Sequence, residues 1–321
     1  MRTMLDAQTS RNELPRRRTA IVARELGRYG VDIAALSETR MAGEGSLRED
    51  GGGYTFFWRG VPEGSPRIHG IGLAVGNSIA DALTETPVYI SERLMSLRVP
   101  LQRGEFATII SAYAPTLAAE EDVKDSFYQS LHETLSRVAN SDKLVLLGDF
   151  NARVGRNSEI WSGVIDRHGV GKMNSNGLRL LTLCAEHDLI ISNTYFRMKN
   201  MYKTSWMHPR SHHWHLIDYI IYRSRDISSV RRTRAMRGAE CSTDHRLIVS
   251  DVSWKVRPKT RRRQISTKKL NVAALQDCGK REDFQARVSV ALEEDHDRQI
   301  QTEGDIETHW KRFADTIKEI A

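Results

Sequence analysis

The sequence predicts an α/β protein with packed β-sheets, and three observations predict it. Apolar runs of strand length alternate with helical patterns from Met1 to about Lys255, the mark of strands interspersed with helices. The run Leu144-Val-Leu-Leu147 is apolar at every position, as expected of a strand covered on both faces. The composition, 40% hydrophobic and 28% charged over 321 residues, suits a globular chain long enough for one large core or two modest domains.

The elements follow in order. Arg17 to Tyr29 places Ile21, Val22, Leu26 and Tyr29 on one helical face, and Gly30 can end that helix. Val31–Leu36, Gly70–Val75 and Thr108–Tyr113 read as strands. Glu120 to Val138 is helical, with Phe127, Leu131, Leu135 and Val138 on one face. Leu144–Leu147 is a buried strand and Gly177–His187 a helix, followed by strands at Leu189–Asn193, Leu216–Tyr222 and Leu247–Val252. From about Val256 the strand signal stops. Lys255 to Lys269 holds eight basic residues in fifteen, a linker-like charge run. Two helical patterns follow, the last with Trp310, Phe313, Ile317 and Ile320 at helical spacing, a stripe that must pack on something. The expected organisation is a domain over residues 1–254, a basic linker over 255–269 and a helical tail over 270–321.

The net charge is +7 and the isoelectric point about 9.4. A basic balance suits a polyanionic partner, because Lys and Arg displace counterions from phosphates. Cys184, Cys241 and Cys278 are far apart and odd in number, so neither a zinc knuckle nor a disulfide framework is expected. No apolar stretch approaches a signal peptide or a membrane span, and the expectation is a soluble intracellular protein, nuclear or cytoplasmic. Pro258-Lys-Thr-Arg-Arg-Arg263 reads equally as a nuclear import signal or a solvated linker.

Five polar clusters close apolar strands. In Leu144-Val-Leu-Leu-Gly-Asp-Phe-Asn151, alternation sends Asp149 and Asn151 to one side and Phe150 to the core. Gly148 frees the backbone from a Cβ clash. Leu36-Ser-Glu38-Thr39 ends a strand in a carboxylate, and Tyr113-Ala-Pro115 closes another. Asp218 sits inside the apolar run Leu216–Tyr222, where a carboxylate needs hydrogen bonds or an opposite charge. Ser242-Thr-Asp244-His245 precedes the apolar Leu247-Ile-Val249. Each cluster alone has an ordinary explanation as a turn or a strand end. All five in this order and spacing do not.

That series resembles the endonuclease/exonuclease/phosphatase superfamily over roughly Arg2 to Trp254. Asn174-Ser-Asn176-Gly177, Ser192-Asn-Thr-Tyr-Phe196, Thr204-Ser-Trp206-Met-His-Pro-Arg210 and Trp214-His-Leu-Ile-Asp218 resemble its LINE-type retrotransposon endonuclease branch. The tail from Lys255, with its Trp310-x-x-Phe313, resembles the segment that joins such an endonuclease to a reverse transcriptase. The resemblance implies a DNase I-like two-sheet α/β sandwich with outer helices and a Mg2+-dependent DNA endonuclease, with Mn2+ as a substitute ion. It would nick one strand and leave a 3′-hydroxyl.

By the same resemblance, Glu38 and Asp244 are the expected metal-site carboxylates, and a hard octahedral cation suits such oxygen donors. Tyr113 is expected to contact the scissile phosphate, Asp149 and Asn151 to orient or activate water, and Asp218 to hold His245 in one tautomer. Arg153, Asn176 and Trp206 are candidate substrate contacts. The choice between Asp149 and His245 as base stays open. A nearby cation should keep Asp149 below the usual carboxylate value of about 3.9, which disfavours it, whereas a raised His245 suits stabilising negative charge.

One departure bears on activity. The superfamily domain opens with a strand ending in an Asn, and this sequence opens at Met1-Arg-Thr3 with no such strand. The expectation is a neighbouring strand with unpaired backbone groups and impaired catalysis. Two rival functions follow: a catalytically impaired domain that binds DNA or protein, and an inositol-phosphate or lipid phosphatase of the same superfamily. His212, His213 and His215 read as a basic aromatic substrate loop, since no cysteine lies near to complete a zinc set.

Overall fold

The computed structural model describes residues 18–240, 243–257, 275–299, 310 and 314. The chain divides into two compact units, residues 1–260 and 261–321.

In the first unit, α1 (Arg18–Arg28) turns Val22, Ala23 and Leu26 inward; Val22 and Leu26 belong to the expected face, while its other members, Ile21 and Tyr29, are half-buried. The three inward residues cover a four-stranded sheet ordered β1 (Ile33–Ser37), β4 (Ile71–Gly76), β3 (Tyr54–Arg59), β2 (Glu44–Glu49), antiparallel throughout. The second sheet is ordered β5 (Val88–Ser91), β6 (Leu94–Pro100), β7 (Phe106–Tyr113), β8 (Lys143–Asp149), β12 (Asp218–Arg223), β9 (Leu189–Ile191). Its β7–β8 pair is parallel, joined through the crossover helix α3 (Glu121–Ser136). That connection is why the parallel pair can form at all. The four-residue α2 (Asn77–Ala80) follows β4, α4 (Ser175–Glu186) precedes β9, and two ribbons complete the unit: β10–β11 (Trp206–Met207, Trp214–His215) and β13–β14 (Val230–Met236, Leu247–Val252).

The central strands show why both faces had to be apolar. On β8, Leu144 and Leu146 pack with Phe127, Leu131 and Leu135 of α3 and Leu180 and Leu181 of α4. Val145 and Leu147 point the other way, into the inter-sheet core with Leu73 and Val75 of β4. β12 splits likewise, Tyr219 and Ile221 against Ile220 and Tyr222. The result is helix, sheet, sheet, helix: the DNase I-like sandwich with outer helices that the sequence predicts.

Several strands carry no clear sequence signal. β13 reads Val-Arg-Arg-Thr-Arg-Ala-Met, yet Val230, Thr233 and Ala235 are buried while Arg231 and Arg232 are exposed. β9 stops at Ile191, short of the expected Asn193. Ser192 turns its hydroxyl to the Ile220 carbonyl at 2.7 Å, and Asn193 accepts from the Ile220 N–H at 2.9 Å, so side chains replace the ladder there.

The first part of the basic run still pairs with the sandwich. Val256 bridges Leu101, and the Arg257 N–H donates to the Pro100 carbonyl at 3.0 Å. In the second unit, α5 runs Cys278–Gln299. Trp310 is 67% exposed, and the other members of its stripe, Phe313, Ile317 and Ile320, lie outside the described residues. Among the described residues no helix is long and apolar enough to cross a membrane.

Among the described residues β1 pairs with β4 alone, and β14 with β13 alone. Both strands line one cleft of about 500 Å³, together with inter-sheet core residues such as Ile109 and Val145. The cleft extends to Asp149, Asp218 and His245. Unpaired edge groups beside apolar walls are a site where an extended chain would gain both hydrogen bonds and burial.

Candidate active site

Strand register assembles the centre of the site. Tyr113 on β7 lies opposite Asp149 on β8, and Asp149 lies opposite Asp218 on β12. Three polar side chains therefore line up across three adjacent strands at one end of the sheet. Glu38 arrives from the other sheet, one residue past β1. It has φ 52°, in the left-handed region that costs a non-glycine residue about 1–3 kcal/mol. Its Oε1 accepts from Tyr113 Oη at 2.9 Å, which ties the two sheets together at the mouth of the sandwich. Arg40 approaches the other Glu38 oxygen at 3.5 Å.

Gly148 explains itself through packing. A Cβ there would sit 1.9 Å from the Ala112 carbonyl oxygen, so only glycine lets β7 and β8 close up beside the site. Phe150 is wholly buried in the core beneath α3 and α4. Asn151 departs from the expected alternation. It adopts φ 47°, and its Nδ2 donates to the Ala114 carbonyl at 3.0 Å while its N–H donates to Asp149 Oδ1 at 2.9 Å. The left-handed turn thus makes Asn151 a brace for Asp149.

His245 follows the segment from β13 and meets β12 from the side. Its Nδ1 lies 2.9 Å from Asp218 Oδ2, and its Nε2 lies 4.0 Å from Asp149 Oδ2. Burial opposes charge on both Asp218 and the imidazole. The ion pair between them outweighs it, holding Asp218 below the usual carboxylate range and lifting His245 to about 9. Asp149 goes the other way. Burial first, then the Asp218 charge, push it up to about 7 against the pull of His245 and the Asn151 N–H. Burial and the neighbouring Glu38 likewise push the Tyr113 hydroxyl well above its ordinary value, so it stays a donor.

The remaining expected site residues separate. Trp206 donates through Nε1 to Asp244 Oδ2 at 3.2 Å, and its ring stands 6.3 Å from that of His245, so this indole holds the Asp244 side chain on the flank of the His245 cluster. Arg153 is half-buried, and its charge adds to burial in disfavouring charge on His215. Asn176 is a correction. It is 1% exposed, and its amide donates to the Pro115 and Asn151 carbonyls at 3.1 and 3.0 Å. It clamps the loops that carry Tyr113 and Asn151 and offers no surface to a substrate. Asn174 caps α4 by accepting from Gly177 N at 2.8 Å and also takes the Arg153 N–H, which accounts for the Asn-Ser-Asn-Gly pattern in structural terms.

Other residues enter that the sequence did not single out. The Ser205 hydroxyl accepts from the Ile217 and Asp218 N–H groups and helps keep Asp218 ionised. Arg93 stacks over the Tyr113 ring at 5.1 Å and donates to its carbonyl at 3.3 Å. Ser205 stands beside the noted Trp206, whereas nothing local in sequence marks Arg93.

The Asp218–His245 pair makes a pH-dependent contribution to stability. A raised His contributes fully below its ordinary 6.5 and loses that contribution as pH rises through about 9. A lowered Asp contributes above its ordinary 3.8 and loses it as pH falls through the folded value. The Tm difference between the parent and Asp218→Asn is therefore expected to be largest between pH 3.8 and 6.5 and to shrink as pH rises through about 9. A difference constant with pH would dissolve the pair.

Comparison with known proteins agrees with this arrangement. Residues 9–245 match the model of the Endonuclease/Exonuclease/phosphatase family. Craniofacial development protein 2 of Bos taurus is 34% identical over 245 residues, and so is that of Tragulus javanicus, covering 75% of this chain. The chain spans about 40% of the length of those curated relatives. Among solved structures, the catalytic domain of Xenopus laevis APE2 superimposes with a TM-score of 0.57 at 16% identity, over 76% of this chain and 90% of that one. The AP endonuclease LMAP of Leishmania major gives 0.52 at 15% identity, over 75% and 83%. At such identities the solved structures speak to the fold. The family match and the curated relatives, together with the strand-end cluster, lead to one statement: this chain belongs to the endonuclease/exonuclease/phosphatase family.

Proposed function

We propose that this chain is a divalent-metal-dependent DNA endonuclease of the LINE-type branch, which hydrolyses one phosphodiester bond and leaves a 3′-hydroxyl. The observation that carries the reading is the Asp149–His245–Asp218 cluster, set beside Glu38 and Tyr113 at one end of the sandwich. The net charge of +7 and the basic loop around Trp206 suit a polyanionic duplex.

The donors fit a hard cation. Glu38, Asp149, Asp244 and Asn151 supply oxygens, and no thiol is among them. Asp149 is a buried carboxylate whose Oδ2 lies 4.0 Å from His245 Nε2, and a cation nearby would offset the burial that raises it. Glu38 and Asp244 are the carboxylates that would hold Mg2+, with Asn151 and Asp149 at its margin. When bound, the ion supplies charge neutralisation and Lewis acidity at a phosphoryl oxygen.

The protein groups divide the proton work. Asp218 keeps His245 charged and fixes Nδ1, so Nε2–H is presented to a phosphoryl oxygen as negative charge develops. Tyr113, kept protonated, gives its one hydroxyl proton to Glu38 and so braces that carboxylate beside the phosphate position. Because His245 already carries its proton at neutral pH, Asp149 is the group left to orient the water and take its proton, with Asn151 fixing the carboxylate.

Glu38→Gln removes a charged oxygen ligand with little change of shape. Plasmid nicking at limiting Mg2+ is expected to fall about 100-fold or more, the equivalent of several kcal/mol of lost ion binding, with Tm little changed. Equal nicking would take Glu38 out of the site, and release of phosphate from inositol phosphates without nicking would favour the phosphatase reading.

Asp218→Asn and His245→Ala are each expected to slow nicking by about 100-fold or more. The double variant should be little slower than the worse single one, since groups acting as a unit are non-additive. Losses that multiply would show two independent contributions.

A further inference from the structure

The outer helices of the second sheet carry a cluster that the phosphodiester chemistry does not use. His132 lies on α3, Glu186 is the last residue of α4, and His187 is its C-cap. Nε2 of His187 lies 3.1 Å from Nδ1 of His132, and Oε1 of Glu186 lies 3.4 Å from the same Nδ1. All three ligand atoms fall within 4.8 Å of one another. Zinc bonds of about 2.0–2.1 Å in tetrahedral geometry put neighbouring donor atoms about 3.3 Å apart, which is the spacing at the shared Nδ1.

We propose that His132, Glu186 and His187 form a peripheral site for a divalent transition ion of the Zn2+ class, which staples α3 to α4. Two imidazoles and a carboxylate are the donor chemistry such ions select over Mg2+. Hydrogen bonding alone serves this cluster poorly. A neutral His132 has at most one proton at Nδ1 to offer its two neighbours, whereas a cation between the three takes a lone pair from each.

Burial, His132 and Arg223 disfavour charge on His187, which leaves its imidazole lone pair free, while Glu186 and the helix ends supply negative charge. Arg179 on α4 pairs with Glu121 and Asp125 near the start of α3, at 2.7 and 2.5 Å. The two helices therefore run side by side in the same sense, and their C-terminal, negative dipole ends converge on the cluster. Both histidines are half-buried and Glu186 is exposed, so three protein ligands sit at the surface with the fourth position open to water. The site lies at the opposite end of α4 from Asn174 and Asn176, about 18 Å away for a twelve-residue helix. The ion would hold the far end of the helix whose near end clamps the active-site loops.

The test is calorimetric titration of the full chain with Zn2+, and Tm with and without Zn2+, for the parent and for His132→Ala, His187→Ala and Glu186→Ala. Losing an outer partner alone weakens metal sites about 10–100-fold, so losing a direct histidine ligand should weaken this one by at least about 100-fold. The expected result is one Zn2+ equivalent that disappears in each His→Ala variant together with the Zn2+-dependent rise in Tm. Nicking in Mg2+ should be unchanged, because none of the three touches the catalytic cluster. Glu186→Ala changes an exposed side chain and keeps the test decisive should a histidine variant fold poorly. It is expected to bind Zn2+ more weakly with an unaltered metal-free Tm. A parent that binds no such equivalent, or variants that bind it as tightly as the parent, overturn the proposal.

Discussion

Two carboxylates face each other across one pair of strands, and the rest of the site is arranged around their repulsion. Asp149 and Asp218 occupy opposite positions of the β8–β12 ladder, both largely removed from water. Like charges that close cannot both ionise without a compensating cation. His245 compensates one of them directly at 2.9 Å and the other only at 4.0 Å. The asymmetry sets their roles: Asp218 becomes a fixed anion and Asp149 a carboxylate with proton affinity near neutrality. The arrangement of the cluster thus follows from where two aspartates fall in a strand register.

That register depends on the middle of the sandwich. β8 lies between β7 and β12 and is covered by helices on one face and by the first sheet on the other, so it cannot slip without moving every side chain to the wrong layer. Gly148 allows the last step of this strand to lie against β7, and Phe150 anchors the chain immediately beyond Asp149. Asp149 is therefore held between a contact that permits only glycine and a fully buried ring. On the other flank, β1 and β14, which among the described residues each pair with one strand, line a cleft that reaches Asp149, Asp218 and His245.

Much of this was legible in the sequence because local patterns carry local consequences. Continuous apolar runs marked β8 and β12, and helical patterns marked α3 and α4, since those faces are buried whatever the topology. A carboxylate inside the apolar run around Asp218 signalled a required partner, and the structure supplies His245. The strand-end positions of Glu38, Tyr113 and Asp149 were legible for the same reason: polar residues that close buried strands emerge at a sheet end.

What the sequence could not decide were distances between residues far apart in the chain. That Tyr113 meets Glu38 across the two sheets, that Arg93 stacks on Tyr113, and that His132 meets His187 across two helices all depend on how layers superimpose. No local spacing encodes them. Asn176 shows the same limit from the other side: its motif marked it as important, but only packing revealed a buried clamp between loops. Strand identity at β13 was hidden because arginines on its open face outweigh its buried residues in any composition count. The sequence by itself determined which residues must be buried and which carboxylates needed partners, because burial costs are properties of side chains. Only the tertiary structure decided which partner each one found, because charge and hydrogen bonding act through space, over distances that chain separation does not fix.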